Sequence, residues 1–145
     1  MSEFFKKSLK NIYDDKDIKL DSSEKAMFSK DWSSIIPSEP IAVVFPREVD
    51  QLIDTVKLCN DLSIPFLASG GRTGLSGGAT SISNELIISF NKMNKILDFD
   101  ESDNTILCQP GLITKDLQNF AVNNNLFYPI EFSSTGSSQL GGNIA

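Results

Sequence analysis

The sequence contains no histidine. This absence excludes Ser-His hydrolysis, imidazole ligation of a metal and imidazole base catalysis within the chain, so we expect no metal site. Basic residues are also few, since 13 Lys and Arg stand against 19 Asp and Glu, for a net charge of -6. Nucleic acids are bound through clustered Lys and Arg. The basic residues here are scattered, so we expect no nucleic-acid partner.

Long apolar runs and paired cysteines are missing as well. The longest uninterrupted apolar run covers residues 41–45, far below the roughly 20 residues that cross a bilayer. No charged-then-apolar signal segment opens the chain, so we expect a cytoplasmic protein without a transmembrane segment. Cys59 and Cys108 lie far apart, each within an apolar pattern, which is typical of reduced core thiols.

With 145 residues, 40% of them hydrophobic and 22% charged, the chain has the size and composition of one globular domain. Apolar runs predict buried strands at Ile41–Phe45, Ile64–Ala68, Glu85–Phe90 and Thr105–Gln109. Apolar residues at three- and four-residue steps predict an amphipathic helix over about residues 47–61, and a second helix is expected to begin at Thr114 as its cap. We expect the first three strands in one small sheet with the first helix packed on it, an α+β fold.

Residues 1–39 are expected to form a helical leader. The apolar residues Phe4, Phe5, Leu9 and Ile12 have the spacing of a helix that lies on another surface, and the charged run at residues 14–17 is expected to end it. A solvated leader that orders only partly is the alternative.

The segment from Ser69 to Gly78 holds five of the nine glycines. Glycine permits positive φ and lets a ligand approach the main chain, so that consecutive N–H groups can converge on one anion. Thr73 and Ser76 add hydroxyl donors, and Arg72 is the only charge in the segment. The spacing fits neither G-x-x-x-x-G-K-[ST] nor G-x-G-x-x-G. The segment therefore predicts a backbone-amide phosphate site, with a flexible loop that binds nothing as the alternative.

Residues 64–79 resemble the first flavin-binding motif of the FAD-linked oxidase family, whose FAD-binding domain is of the vanillyl-alcohol-oxidase or PCMH type. The likeness continues in the family's order, with residues 40–46 similar to its opening strand, residues 109–111 to its Pro-Gly turn and residues 132–145 to its second flavin segment. It implies that residues 40–145 are an FAD-binding domain of two α+β subdomains, truncated at its C-terminal side with the second incomplete. We therefore expect an N-terminal fragment of such an enzyme.

In that family FAD lies extended between the two subdomains. The resemblance implies that the diphosphate is bound by the amides and hydroxyls of Ser69, Gly70, Gly71, Arg72, Thr73 and Gly74. It implies that the ribityl chain and ring are approached by Leu75, Ser76 and Gly77. Further contacts with the flavin are expected from Pro110, Gly111, Ser133, Ser138, Gly141 and Gly142.

Three positions bear on how FAD is held. Ser69 stands where many relatives carry Arg or Gln, and Glu131 stands where they often carry Asp, so individual hydrogen bonds there differ from the family pattern. Relatives that bond their flavin covalently have a histidine at the position of Arg72. Its absence here implies non-covalent FAD.

The motif S-G-G-R-T-G-L-S-G-G, residues 69–78, is similar to the corresponding motif of D-2-hydroxy-acid dehydrogenases that act on glycolate, D-lactate and D-2-hydroxyglutarate. The resemblance implies an FAD-dependent oxidoreductase that oxidises a small 2-hydroxy acid by hydride transfer to flavin N5. We name no catalytic residue, because the base and the substrate-binding groups of such enzymes are expected in the missing C-terminal part. This chain alone is therefore expected to be inactive. The alternative is a small non-catalytic protein that keeps the fold and binds a nucleotide or a partner.

Overall fold

A computed structural model describes residues 2–145, and that range contains five α-helices and six strands. The α-helices are α1 (Glu3–Ile12), α2 (Ser22–Ala26), α3 (Val49–Asp61), α4 (Thr114–Asn123) and α5 (Leu140–Ile144). The strands are β1 (Ile18–Lys19), β2 (Ala42–Val44), β3 (Phe66–Ser69), β4 (Leu86–Ser89), β5 (Ile96–Asp100) and β6 (Thr105–Cys108). No helix within the same range is both long enough and apolar enough to cross a membrane. The predicted α+β class is confirmed.

The main sheet has four strands in the order β1-β2-β4-β3. Strands β2, β4 and β3 are parallel neighbours, and α3 connects β2 to β3, as parallel strands require a crossover. Both β2 and β4 are buried along their whole length, which explains their continuous apolar runs. The three-stranded sheet and the helix that follows its first strand are thus confirmed. Strand β1 pairs antiparallel with β2 and was not predicted, because two residues carry no periodicity.

Helix α1 packs into the same core as the sheet. Its residues Phe5 and Leu9 are buried against α3 and the strands, in one cluster with Cys59 and Val44. Directly after the helix, the hydroxyl of Tyr13 lies 2.6 Å from Thr55 Oγ1 on α3. Burial of the apolar face of α1 explains why these ten residues form an ordered helix. A leader that spans residues 1–39 stays a prediction.

A second, smaller unit holds the β5–β6 hairpin together with α4 and α5. Leu112, Leu117 and Leu140 form its core, against which the hairpin packs. The predicted capping role of Thr114 is wrong: Ile113 occupies the cap position, and Thr114 is the first residue of α4. The Thr114 hydroxyl lies 2.7 Å from Ser138 Oγ instead. This contact fixes the segment that leads into α5.

Asp17 is a buried carboxylate directly before β1. The side chain of Arg47 donates to it through Nε at 2.8 Å and Nη2 at 3.2 Å, and the amino group of Lys92 also pairs with it. The hydrogen bonds from Arg47, assisted by Lys92, outweigh the opposing effect of burial and lower the pKa of Asp17 to about 2. The charged form is therefore favoured in the folded state.

We expect acid to destabilise the chain partly through Asp17. A carboxyl whose pKa is lowered by folding stabilises the fold above its ordinary pKa, and this contribution is lost as the pH falls toward its folded pKa. Urea unfolding should therefore show a falling free energy between about pH 4 and about pH 2. The fall should be smaller in Asp17→Asn, which is already destabilised at neutral pH. Equal falls in the two proteins would show that the pKa of Asp17 is not shifted by folding.

Candidate functional site

A cleft of about 560 Å³ opens where β3 runs into the glycine-rich segment. The carboxyl ends of parallel strands are the usual place for ligands in such sheets. One wall is the glycine loop, which we define as residues 69–78, and the opposite wall comes from the second segment, residues 132–145. The two motifs that the sequence places far apart therefore meet across one cleft.

The structure divides the predicted site residues into two groups. Those that line the cleft are Gly70, Gly71, Arg72, Thr73, Gly74, Ser76 and Gly142. Those that lie outside the lining, within residues 2–145, are Ser69, Leu75, Gly77, Pro110, Gly111, Ser133, Ser138 and Gly141.

The cleft also has lining residues that were not predicted. They are Asp31, Ala68, Gly78, Ala79, Phe132, Ser134, Gln139, Asn143 and Ala145. Gln139 and Asn143 belong to the second segment, so the motif itself could have pointed to them. Asp31 comes from the leader, where no pattern in the sequence marked it.

The backbone amides of the glycine loop are available to a ligand. Within residues 2–145, none of the N–H groups from Gly71 to Gly78 donates a hydrogen bond to another residue, whereas Ala79 N–H donates to Asp31 and Thr80 N–H to the Gly77 carbonyl. Unpaired main-chain donors in a glycine-rich turn form an anion-binding concavity. The loop is thus suited to an acceptor-rich ligand such as a diphosphate.

Arg72 supplies the positive charge of the cleft. Its guanidinium stacks over the ring of Phe28 with the central carbon 4.7 Å from the ring centroid, and Nη1 donates to the Gly70 carbonyl at 3.4 Å. Burial lowers the pKa of this guanidinium, but arginine stays charged at neutral pH. The backbone at Arg72 has a φ of 55°, in the left-handed region that non-glycine residues seldom adopt.

Close approach, rather than positive φ, explains the glycine at position 71. A Cβ there would collide with the carbonyl oxygen of Ser137 and would lie 3.0 Å from Ser138 Cα. Among the glycines of residues 2–145, only Gly77 has a positive φ, 83°, and a Cβ there would also strike Ile35. Of the two properties of glycine named from the sequence, positive φ is therefore used within the loop at Gly77.

Three buried polar side-chain atoms have no hydrogen-bond partner within residues 2–145: the hydroxyls of Ser69 and Ser89 and Oε1 of Gln139. Of these three residues, Gln139 lines the cleft. Ser69 and Ser89 are register partners at the ends of β3 and β4, and both are fully buried. Gln139 is 5% exposed and donates through Nε2 to Asn91 at 2.8 Å. Buried polar groups are normally paired, so unpaired ones indicate water or a ligand.

Several predicted residues hold the second segment in place through their backbones. Gly141 N–H donates to the Pro110 carbonyl at 2.8 Å, and Gly111 N–H donates to the Met93 carbonyl at 2.8 Å. Thr114 N–H donates to the Ser138 carbonyl at 3.0 Å. Contact between these residues and a flavin stays a prediction.

Asp31 is the one carboxylate side chain in the cleft lining of the described chain. It accepts from the Ser33 N–H at 2.9 Å, from the Thr80 hydroxyl at 2.9 Å and from the Ala79 N–H at 3.3 Å. Burial would raise its pKa, but these hydrogen bonds outweigh that effect and lower the pKa to about 2. Asp31 is therefore ionised at neutral pH.

The residues of the cleft fit the FAD that the resemblance implies. Unpaired loop amides and the Arg72 guanidinium can donate to phosphate oxygens, and the hydroxyls of Thr73 and Ser76 are suitable donors as well. The cleft also has the size of a ligand site, roughly 300–1,000 Å³.

Comparison with known proteins matches residues 40–145 to the family model described as "FAD binding domain". D-2-hydroxyglutarate dehydrogenase of Stutzerimonas stutzeri is 41% identical over 94% of this chain, and glycolate oxidase subunit GlcD of Bacillus subtilis is 35% identical over 83% of it. The chain spans 29% and 26% of the length of these two relatives.

The fold has solved counterparts. The crystal structure of p-cresol methylhydroxylase with substrate bound matches with a TM-score of 0.76 and 24% identity. The match covers 94% of this chain and 28% of that protein. It shows the PCMH-type fold.

Proposed function

This chain belongs to the FAD binding domain family, and we propose that it forms the FAD-binding portion of an oxidoreductase that oxidises a D-2-hydroxy acid. The observation that carries the proposal is the row of unpaired amides from Gly71 to Gly78, in a loop that lines the same cleft as the second segment. The printed names of the relatives support the substrate class, since they refer to D-2-hydroxyglutarate and to glycolate.

We assign the diphosphate of FAD to the loop amides, the Arg72 guanidinium and the hydroxyls of Thr73 and Ser76. Gly142 and Asn143 line the opposite wall, where a side chain at position 142 would narrow the cleft. When bound, FAD supplies the hydride acceptor, its N5 atom. The chain's own residues bind and orient the cofactor and keep water from its phosphates.

The predicted flavin contacts of Leu75, Gly77 and Ser133 remain part of the proposal. Leu75 is 76% exposed and stands beside the cleft, so its side chain is free to meet the cofactor or a further part of the enzyme. We also propose that Ser69 contacts the cofactor, because its buried hydroxyl has no hydrogen-bond partner within residues 2–145.

We also propose that FAD is bound without a covalent link. Covalent attachment needs a nucleophilic side chain, and the position expected to provide one holds Arg72, a guanidinium that stays protonated. Residues 1–39 are proposed to be a leader and residues 40–145 the FAD-binding domain. We further propose a cytoplasmic location and an additional C-terminal part of the same enzyme.

The test uses an extended protein, meaning this chain joined to the downstream residues that give it the length of its relatives. We expect it to purify yellow, to release all flavin as free FAD on acid precipitation, and to lose its yellow absorbance under anaerobic addition of D-2-hydroxyglutarate, D-lactate or glycolate. Flavin that stays with the precipitate would contradict non-covalent binding. An extended protein that binds FAD but is bleached by none of the three acids would contradict the substrate class.

A further inference from the structure

A leader segment closes over the glycine loop. This segment, residues 28–38, which we call the clasp, precedes the range 40–145 that the family model matches. Trp32 N–H donates to the Gly74 carbonyl at 3.0 Å. Ser81 N–H donates to the Ser29 carbonyl at 2.8 Å, and Ser38 N–H donates to the Ser81 carbonyl at 2.7 Å. The clasp is therefore bonded to the loop at Gly74 and to Ser81, three residues after the loop ends.

Asp31 is at the centre of the clasp. One of its oxygens, Oδ1, accepts from the Ser33 N–H and the Thr80 hydroxyl, and the other, Oδ2, accepts from the Ala79 N–H. A Cβ on Gly74 would lie 3.8 Å from the same Oδ2, so the carboxylate lies beside this part of the loop. A single side chain thus ties the clasp to the point where the loop rejoins the fold.

The negative charge of Asp31 argues against a role in direct contact with the diphosphate. Asp31 is 8% exposed, and no Lys or Arg among residues 2–145 forms an ion pair with it. A carboxylate on the wall of a diphosphate site repels the ligand, and burying it without a cation is unfavourable. Its depressed pKa also makes it a poor proton acceptor. The hydrogen bonds that Asp31 accepts from the protein therefore explain its position in the cleft.

We infer that Asp31 is a positioning residue for the cofactor: it fixes the second half of the glycine loop so that the amides of residues 74–78 face the cleft before FAD arrives. This inference rests on the proposed FAD site. A loop with five glycines loses much conformational entropy when it becomes ordered. Ordering it in advance removes that cost from binding, which is how preorganisation raises affinity.

The test compares three variants of the extended protein. Asp31→Ala removes both acceptor oxygens, whereas Asp31→Asn keeps one. Glu85→Gln is the matched control, because Glu85 is also a buried carboxylate that accepts from a hydroxyl, Ser81, and from the N–H groups of residues 82 and 83, but it does not line the cleft. We expect the dissociation constant for FAD to rise about tenfold or more in Asp31→Ala. The rise should be smaller in Asp31→Asn and absent in Glu85→Gln at comparable loss of thermal stability.

A second measurement needs no cofactor. In the 145-residue chain, Asp31→Ala should accelerate hydrogen exchange of the Ala79 amide and of the adjacent Thr80 amide, which donates to the Gly77 carbonyl. Glu85→Gln should accelerate exchange at residues 82 and 83 only. Unchanged exchange at Ala79, or equal FAD affinity of wild type and Asp31→Ala, would overturn the inference. Failure of the wild-type extended protein to bind FAD would instead overturn the proposed function, and the exchange result would still decide whether Asp31 orders the loop.

Discussion

Replacing Gly71 with valine is expected to weaken FAD binding by the extended protein about tenfold to a hundredfold, and to destabilise the fold by about 1–3 kcal/mol. The new Cβ would occupy the position of the Ser137 carbonyl oxygen. This neighbour is backbone, and the next residue, Ser138, is held by Thr114 through a carbonyl bond and a hydroxyl contact. The second segment therefore has to move away from the loop, and the cleft between them changes shape.

Valine substitutions at two further glycines serve as comparisons for Gly71→Val. At Gly136, which lies in the second segment but does not line the cleft, a Cβ would have no neighbour within 4 Å, so Gly136→Val should leave affinity and stability unchanged. At Gly74 a Cβ would meet only Asp31 Oδ2 at 3.8 Å, so Gly74→Val should leave folding intact and weaken FAD binding alone. Flavin titration and thermal unfolding measure the two effects separately. A Gly71→Val protein with wild-type affinity would show that the cleft is not the FAD site.

The sequence predicts the elements that carry strong local patterns. Strands β2 and β4 are apolar throughout because both of their faces are buried, and α3 has a three- and four-residue apolar repeat because it covers one face of the sheet. The glycine loop was also predictable, because few other uses explain five glycines after a strand. These features depend on neighbours in the sequence or on simple burial.

The clasp depends on contacts across long stretches of chain, and no local pattern reports them. Asp31 reaches Ala79 and Thr80, which lie far along the sequence, and the leader around it has neither a helical nor an alternating repeat. The role of Gly71 was hidden for a related reason. A glycine in a sequence shows that a side chain is not tolerated, but it does not show whether a ligand or the protein's own backbone excludes it.

Only part of the electrostatics of the cleft could be predicted from the sequence. The glycines of residues 69–78 led to the expectation that neutral amides hold the phosphates, and the unpaired N–H groups of the loop agree with that expectation. The stacking of Arg72 on Phe28 and the buried carboxylate of Asp31 were not predicted, because both depend on the clasp. A single substitution in the leader is therefore expected to alter a site that the motif alone assigns to residues 69–78.

The 145-residue chain by itself is expected to have no dehydrogenase activity toward any 2-hydroxy acid and to hold FAD weakly or not at all. Oxidation of the substrate needs a base within hydrogen-bond reach of its hydroxyl, with a pKa near the working pH. The chain has no histidine, and the carboxylate in the cleft lining, Asp31, has a pKa of about 2 and hydrogen bonds on both oxygens. Glu131 is exposed and outside the cleft lining, so no pocket orients it toward a substrate.

The measurement is anaerobic bleaching of the FAD-reconstituted chain by D-lactate, glycolate and D-2-hydroxyglutarate, beside the extended protein under the same conditions. Proximity and orientation of the reacting groups contribute several orders of magnitude to enzymatic rates, so a chain that lacks the base and the substrate pocket should bleach no faster than free FAD. A rate near that of the extended protein would place the catalytic groups within residues 1–145. The carboxylates of the chain would then be the first candidates, and substitution of Glu131 and Asp31 would identify which of them accepts the proton.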